Sequence, residues 1–458
     1  MDVGTPQNRD TWGSKAAFIM AAAGSAIGLG NIWGFPTQAG QNGGAAFLFI
    51  YLLAVLIIGA PVMLAELMVG RNTLRNPIGA LKKLAPGTSW WLIGALGVVG
   101  GVMILSFYSV LAGWTFAYIV KAVTGAFGAG ADTQQIFRDI SASPGPAVGW
   151  HVAFAVLTIW VVMGGIRDGI ERWTKVLMPL LLVLLLLLAV RAVTLPGATT
   201  GLEFYLRPDF SAVTGAVVIS AIGQAFFSLS LGMGAMITYG SYLSKKQALV
   251  SSAAWVTGLD TSIAFLAGLI IFPTMFATGF DPSVSGPGMV FVVLPSLLST
   301  IPPDPWGGLV FGTGFFMLLG IAALTSSISL LEVGVTWAVD EKGWSRRKAA
   351  ITLGGLAIVI GIPSALGNGA VDWLTTLPVV GMDFLSFMFT IFGSFALIVG
   401  GLFISLFVGW KWGVGPAGDE VRATAGAFPL EGLWRILIRW VCPIGLIGIL
   451  IHTLLTTF

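Results

Sequence analysis

The chain has 458 residues, of which 56% are hydrophobic and only 9% charged, with a net charge of +3; soluble domains carry about 25% charged residues. With a mean hydropathy of +0.92, this composition excludes a soluble globular protein and describes a polytopic protein set in a lipid bilayer. The scattered basic residues argue against nucleic-acid binding, and Cys442, the single cysteine, excludes an intramolecular disulfide and a cysteine-based metal cluster.

In chain order, residues 1–14 mix Asp2, Arg9 and Asp10 without an apolar core. They read as a polar tail and not as a cleaved signal peptide. Apolar runs of about 20 residues then predict eleven spans, at roughly 15–37, 43–70, 90–121, 149–165, 174–193, 213–242, 248–275, 308–338, 348–366, 378–409 and 434–456. Nineteen Lys and Arg residues fall in the loops of one side; the other has Lys121, Arg138, Arg191 and Arg207. That asymmetry predicts a cytoplasmic N-terminus in the inner membrane, and an odd number of spans puts the C-terminus outside.

Span 1 contains Ala23-Gly24-Ser25-Ala26-Ile27-Gly28-Leu29-Gly30-Asn31-Ile32-Trp33-Gly34-Phe35-Pro36. Four glycines, an Asn and a Pro are the residues a helix interior tolerates worst. In hydrocarbon a break must be buried in protein or line a cavity, where it offers carbonyls to cations and N–H groups to anions. Span 6 carries a second interruption, Gln224-Ala225-Phe226-Phe227-Ser228-Leu229-Ser230-Leu231-Gly232-Met233-Gly234. Close helix packing by small residues is the plainer explanation of either run. Two interruptions five spans apart point instead to an inverted-repeat transporter with its site at the midplane. The expected fold is therefore an all-α membrane protein of two five-helix repeats, 15–193 and 213–409, with broken helices 1 and 6 and an additional span at 434–458.

Between these landmarks, Gly169 and Pro179 in span 5 mark either an end that can unwind or a static kink. The Gly/Ala-rich 122–148 reads as a variable connector, and 411–433 as a polar cytoplasmic one. The proline-rich 276–307 reads as a structured external loop with short helices, able to fold over the site as a lid. Asp260, in Gly258-Leu259-Asp260 of span 7, is ionisable within a span and so a functional candidate. Glu66 and Glu332 read as structural hydrogen-bonding carboxylates. His151 and His452 fall near membrane edges without a motif.

The run Gly24 to Pro36, followed by Gln41-Asn42-Gly43-Gly44, Gly59-Ala60-Pro61, Glu66 and Gly70-Arg71, strongly resembles the neurotransmitter:sodium symporter family, whose bacterial members import amino acids. The span-6 run, Leu324-Thr325-Ser326-Ser327-Ile328-Ser329 in span 8, and Arg439-Trp440-Val441-Cys442-Pro443 also match. The resemblance covers nearly the whole chain, and eleven spans fit the shorter bacterial branch.

The resemblance implies two sodium sites. One would use the carbonyls of Gly24, Ile27 and Ala322 with the hydroxyls of Thr325 and Ser326. The other would use the Ala26 carbonyl, Asn31, Ser228 through carbonyl and hydroxyl, the Asp260 side chain and the substrate carboxylate. Standing alone, Thr325 and Ser326 would read as hydroxyls bonded to their own helix. Asn is common at the position of Asp260, and Ala264 occupies the anion determinant, so Asp260 is expected to replace bound chloride. The substrate would meet Ala26, Gly30, Ile104, Tyr108, Phe227, Ser228, Ser230, Met233, Ser326 and Leu330. Tyr108 would hold its carboxylate, and the apolar lining would suit hydrophobic L-amino acids. Span 1 lacks an Asp to meet an amine.

By the same resemblance Arg9, with Trp12, pairs with Asp340 at the cytoplasmic gate, helped by Tyr242, while Phe227 and Tyr108 form a thin outer lid. The outer ion pair of the family is broken: Gly34 replaces an Arg, leaving Asp383 facing water, protonated, or hydrogen-bonded by Gln38 or Gln224. The expected function is sodium-coupled import of neutral amino acids by a monomer or weak dimer, with no enzymatic role. Symport of glycine, an osmolyte or an amine, and a non-transporting sensor or leak protein on the same scaffold, are the alternatives.

Overall fold

The computed structural model describes residues 11–128, 130–283, 286–295, 306–378 and 380–457. Among the described residues every regular element is helical, as hydrocarbon demands of a chain that must satisfy its own backbone. Nine helices among the described residues are long and apolar enough to cross a membrane: Ala45–Thr73, Trp91–Val123, Pro144–Met163, Ile166–Val193, Leu249–Ala277, Gly308–Lys342, Arg346–Leu366, Phe384–Lys411 and Glu431–Leu455. They are spans 2–5 and 7–11. Span 1 is Lys15–Ala26 followed by Gly30–Gln41, bent by 53°. Span 6 is Gly215–Ser228 followed by the short Ala235–Gly240. The two helices expected to break are thus the two that do.

Each break follows from its residues. Span 1 opens at Ile27, whose backbone is extended (φ −71°, ψ 109°). Span 6 opens over 229–234, where Ser230, Gly232 and Gly234 take φ of 53°, 83° and 75°. Glycine enters this left-handed region freely; the serine does so at a cost of order 1–3 kcal/mol. The Glu66 carboxylate of span 2 accepts the freed Gly232 N–H at 2.7 Å, which explains a buried acid in an otherwise apolar span.

Span 3 presses one stripe against the span 6 break and span 8. A Cβ on Gly97 would fall 2.8 Å from the Met233 carbonyl oxygen, and one on Gly101 2.9 Å from that of Leu330. Ile104 and Tyr108 continue the same face at helical spacing. Elsewhere the structure departs from the sequence reading. The 122–148 connector contains the amphipathic helix Thr133–Ser141, capped by Asp132. Its Phe137 stacks on Phe291 of the external loop at 5.7 Å. Only residues up to 283 and 286–295 of that loop are described, including the turn Met289–Val293; the prolines at 302, 303 and 305 lie outside. His151 is buried, with Ser109 Oγ and the Ile358 carbonyl each 3.0 Å from its ring nitrogens.

The loops rich in Lys and Arg meet on one face, here called the basic face. Arg71 is fully buried and donates through Nε to Glu420 at 2.8 Å and through Nη1 to the Gln247 carbonyl at 2.5 Å. Lys245 and Asn72 donate to the same carboxylate. The expected polar connector is therefore a docked helix, Val414–Ala425, riveted to span 2 and to the loop after span 6. Burial pushes the Glu420 carboxyl up, but hydrogen bonds from Lys245 and Asn72 and the charges of Lys245 and Arg71 outweigh it and hold it below the ordinary glutamate value.

A depressed folded-state pKa contributes stability above the unfolded value, about 4.3, and loses it as pH falls through the folded one. Glu420→Gln should lower the unfolding temperature of the detergent-solubilised protein at pH 7. The gap from the parent should shrink as the pH is lowered below about 4. Thermal unfolding across that range checks both signs.

Candidate functional site

The two breaks face one another between spans 3 and 8. The Tyr108 hydroxyl accepts the Leu29 N–H at 3.1 Å. A Cβ on Gly28 would fall 2.8 Å from that hydroxyl and 2.5 Å from Ser326 Oγ, so only glycine lets spans 1, 3 and 8 converge at this point. Ser230 Oγ and Ser326 Oγ both donate to the Ser25 carbonyl, at 3.0 and 3.2 Å. The Phe227 ring lies against Gly30. Ala26, Ile104, Met233 and Leu330 are also buried, the Met233 and Leu330 carbonyls against Gly97 and Gly101 of span 3. Gly28, Leu29, Gly30, Tyr108, Phe227, Ser230 and Ser326 therefore meet at the span 1 break, where the Leu29 N–H and the Tyr108 hydroxyl are bonded to one another.

Beside them lies the most polar point of the interior. Asn31 Nδ2 donates to Asp260 Oδ1 at 2.7 Å, to the Asp260 carbonyl at 3.1 Å and to Ser228 Oγ at 2.9 Å. Ser228 Oγ donates to Asp260 Oδ2 at 2.9 Å, and Asn31 Oδ1 accepts the Gly28 N–H at 3.0 Å. Tyr51 reaches Ser228 Oγ at 3.5 Å. Asp260 is fully buried, and its described partners are neutral. An uncompensated carboxylate in such a place costs several kcal/mol. The carboxylate oxygens and the Ser228 hydroxyl are hard oxygen donors carrying one negative charge, the chemistry that suits a monovalent cation, while the Asn31 amide presents its nitrogen to them and its oxygen to the Gly28 N–H.

The second cluster is also assembled. Ser326 Oγ donates to the Ile27 carbonyl at 3.0 Å. Thr325 Oγ1 donates within its own helix, to Ala322 at 3.0 Å and Ile321 at 3.2 Å, as an isolated threonine would. It nevertheless stands against Gly24: a Cβ there would fall 3.2 Å from both Thr325 Cβ and Met178 Sδ. Gly24, Ile27, Ala322, Thr325 and Ser326 thus share one small volume.

On the basic face, Arg9 lies outside the described residues. Trp12 is buried, donating its indole N–H to the Tyr239 carbonyl at 3.1 Å. Asp340 accepts the Asn76 N–H at 3.0 Å. The Tyr242 hydroxyl donates to Glu332 at 2.6 Å, and Arg346 pairs with the same carboxylate. Glu332 is thus the centre of a charged network, a larger part than the sequence suggested.

On the opposite face Asp383 has a partner that the sequence reading did not offer. Asp383 caps the start of span 10, accepting Ser386 N–H at 2.9 Å and Ser386 Oγ at 2.6 Å. Neither glutamine reaches it in the described contacts. Gln224 Nε2 donates to the Gly30 carbonyl at 2.9 Å, and Gln38 accepts from Ser220 Oγ at 2.5 Å. The Gln224 amide stands 3.5–3.7 Å from where a Gly34 Cβ would be. Spans 1 and 6 are strapped together by neutral groups, and the glycine makes room for one of them. A cavity of about 600 Å³ opens on this side, lined by Gly34, Gln38, Gln224, Phe389 and His452 and floored by Gly30, Tyr108 and Phe227. The strap was not foreseen; its one signal was an amide residue in an apolar span.

The profile of the sodium:neurotransmitter symporter family matches residues 9–136 and 132–457. The chain belongs to this family. An uncharacterized sodium-dependent transporter of Bacillus subtilis is 38% identical over 444 residues, covering 96% of this chain and 97% of that one. The sodium-dependent serotonin transporter of Drosophila melanogaster is 28% identical over 503 residues, covering 98% and 77%. The crystal structure of MhsT in complex with L-phenylalanine superposes with a TM-score of 0.88 at 44% identity, covering 98% of this chain and all of that one. The protein is therefore a sodium-dependent transporter of the symporter family.

In this symporter a charge at position 34 should not rebuild an outer ion pair. Gly34→Arg is expected to displace Gln224 and lower uptake. Adding Asp383→Asn should change uptake no further, because Asp383 is committed to its helix cap. Transport by the single and double variants checks this.

Proposed function

We propose that the protein imports neutral, hydrophobic L-amino acids together with two sodium ions by alternating access. Asp260 is the observation that carries the assignment. Its carboxylate is fully buried among neutral donors, 2.7 Å from the Asn31 amide at the junction of both broken helices, an arrangement that a bound cation would complete. The first sodium ion would be held by Asp260, Asn31, both oxygens of Ser228 and the Ala26 carbonyl. The amino-acid carboxylate, directed by the Leu29 N–H and the Tyr108 hydroxyl, would close its sphere. Ion and solute then stabilise one another by direct contact. The second ion would take the carbonyls of Gly24, Ile27 and Ala322 with the Thr325 and Ser326 hydroxyls.

The substrate side chain would point toward Ile104, Phe227, Met233 and Leu330. That lining, and the L-phenylalanine bound by MhsT, support a hydrophobic and aromatic preference. With the Tyr108 and Ser228 hydroxyls assigned to the carboxylate and the ion, Ser230 and Ser326 are the hydroxyls left in the proposed lining, which favours apolar over polar side chains. Ala264 is buried and has no hydroxyl for an anion, and Asp260 already supplies the negative charge, so chloride has no role.

The basic face is cytoplasmic by the asymmetry of its charges, which sets the N-terminal tail inside the cell and the C-terminus outside the inner membrane. Two five-span repeats, 15–193 and 213–409, rock about the site. The Trp12, Tyr242, Glu332 and Asp340 region closes the inner path. Gln224, Phe227 and Tyr108 close the outer one. The protein acts as a carrier and not an enzyme.

Reconstituted protein should take up labelled phenylalanine, leucine or tryptophan on an inward sodium gradient and not on a potassium gradient; absence of gradient-driven uptake of any amino acid contradicts the proposal. Replacing chloride by gluconate should leave uptake unchanged, whereas Asp260→Asn should make it chloride-sensitive or inactive. Thr325→Ala with Ser326→Ala should raise the half-saturating sodium concentration by at least about tenfold, the equivalent of about 1.4 kcal/mol. Sodium titrations of uptake measure it.

A further inference from the structure

We propose that Glu171 is a positioning residue that registers the N-terminal tail with the inner ion site through one face of span 5. The inference rests on the assignment of Gly24, Thr325 and their neighbours as a sodium site. Residues 11–13 lie across the basic face. The Trp12 N–H donates to the Tyr242 carbonyl at 3.3 Å, and Arg167 Nε donates to the Thr11 carbonyl at 3.2 Å. The decisive contact is the next one: Gly13 N–H donates to Glu171 Oε2 at 2.9 Å. A Cβ on Gly13 would fall 2.8 Å from Glu171 Oε1, so the carboxylate sits flush on this backbone and a glycine is needed under it.

Glu171 ends the wide, π-type turn Ile166–Glu171 with which span 5 begins, and the regular helix starts at Arg172. Single π-type turns within helices are frequent at functional sites. Lys175, one turn on, pairs with Glu171 at 2.6 Å. Met178, a further turn along the same face, packs its sulfur on Gly24 beside Thr325. Pro179 follows and leaves the helix one backbone bond short. A single helix face therefore carries the latch to the tail at one end and a plug over the ion cluster at the other. While Gly13 holds Glu171, Met178 stays seated. Release of the tail frees the wide turn, and the plug can move with it.

A single reporter thiol tests this in the full-length purified protein. Cys442 is buried and is changed to Ala, and Thr174→Cys, buried between latch and plug, is labelled with a water-soluble maleimide. Glu171→Ala and Gly13→Ala should each accelerate labelling in sodium on the order of tenfold, the size set by one charge-assisted hydrogen bond. Glu171→Gln keeps an acceptor for the Gly13 N–H and should stay within about twofold of the parent. In uptake assays without the reporter, Glu171→Ala should raise half-saturating sodium and leave half-saturating amino acid at saturating sodium unchanged.

Unchanged labelling in both alanine variants, or a Glu171→Gln variant as fast as Glu171→Ala, overturns the latch. Equal losses of sodium and amino-acid affinity overturn it as well. If sodium fails to slow labelling of the parent, the inner-site assignment fails instead, while the comparison of parent with Glu171→Ala in potassium still reads the latch.

Discussion

Hydrocarbon lets a helix break only where something else satisfies the freed backbone, and most of this protein's interior can be read as the answer to that constraint. At the span 1 break, Asn31 takes the Gly28 N–H and Tyr108 takes that of Leu29, while Ser230, Ser326 and Gln224 cover the carbonyls of Ser25, Ile27 and Gly30. At the span 6 break, Glu66 takes the Gly232 N–H. Asn31 apart, each of these partners comes from another span, so the breaks tie spans 1, 2, 3, 6 and 8 into one unit. The groups that repair the backbone are also the ones that can turn toward a ligand.

Charge is distributed by the same economy. Two buried acids are paired with arginines, Glu420 with Arg71 and Glu332 with Arg346, and Glu66 accepts a freed backbone N–H. Asp260 has only neutral partners among the described residues, at the point where ion and solute are proposed to meet. Removing one member of a paired set leaves a bare charge and costs several kcal/mol; the proposed sodium ion would offset that cost at Asp260. The outer closure, by contrast, is built from amides and hydroxyls, which makes it indifferent to salt and acid in a way that an Arg–Asp pair is not.

Much of the fold was legible in the sequence. Apolar length gave the spans, and Gly24, Gly28, Gly30 and Gly34 together with Gly232 and Gly234 gave the breaks, because glycine in a lipid-buried helix has few other reasons to cluster. The identities of the ion and substrate residues came from resemblance; distance along the chain hides them otherwise, since Asn31 and Asp260 are 229 residues apart. The partners of Asp383, Gln224 and Gln38 were not legible, as a polar side chain with several acceptors in reach is decided by packing. Two cytoplasmic or external helices were missed for a different reason. The Ile136, Phe137 and Ile140 spacing behind Asp132 was readable, but the Gly/Ala richness around it drew the eye to flexibility.

Direct contact between the substrate carboxylate and the first sodium ion is the centre of the account, and equilibrium binding tests it most closely. With purified protein, the affinity for labelled L-phenylalanine is measured across sodium concentrations, and the affinity for ²²Na⁺ across phenylalanine concentrations. Linkage requires the two enhancement factors to be equal. The account predicts that both are large and that both collapse in Asp260→Ala, while Thr325→Ala retains the coupling at higher sodium. Phenylalanine binding that is equally tight in sodium and potassium would contradict it.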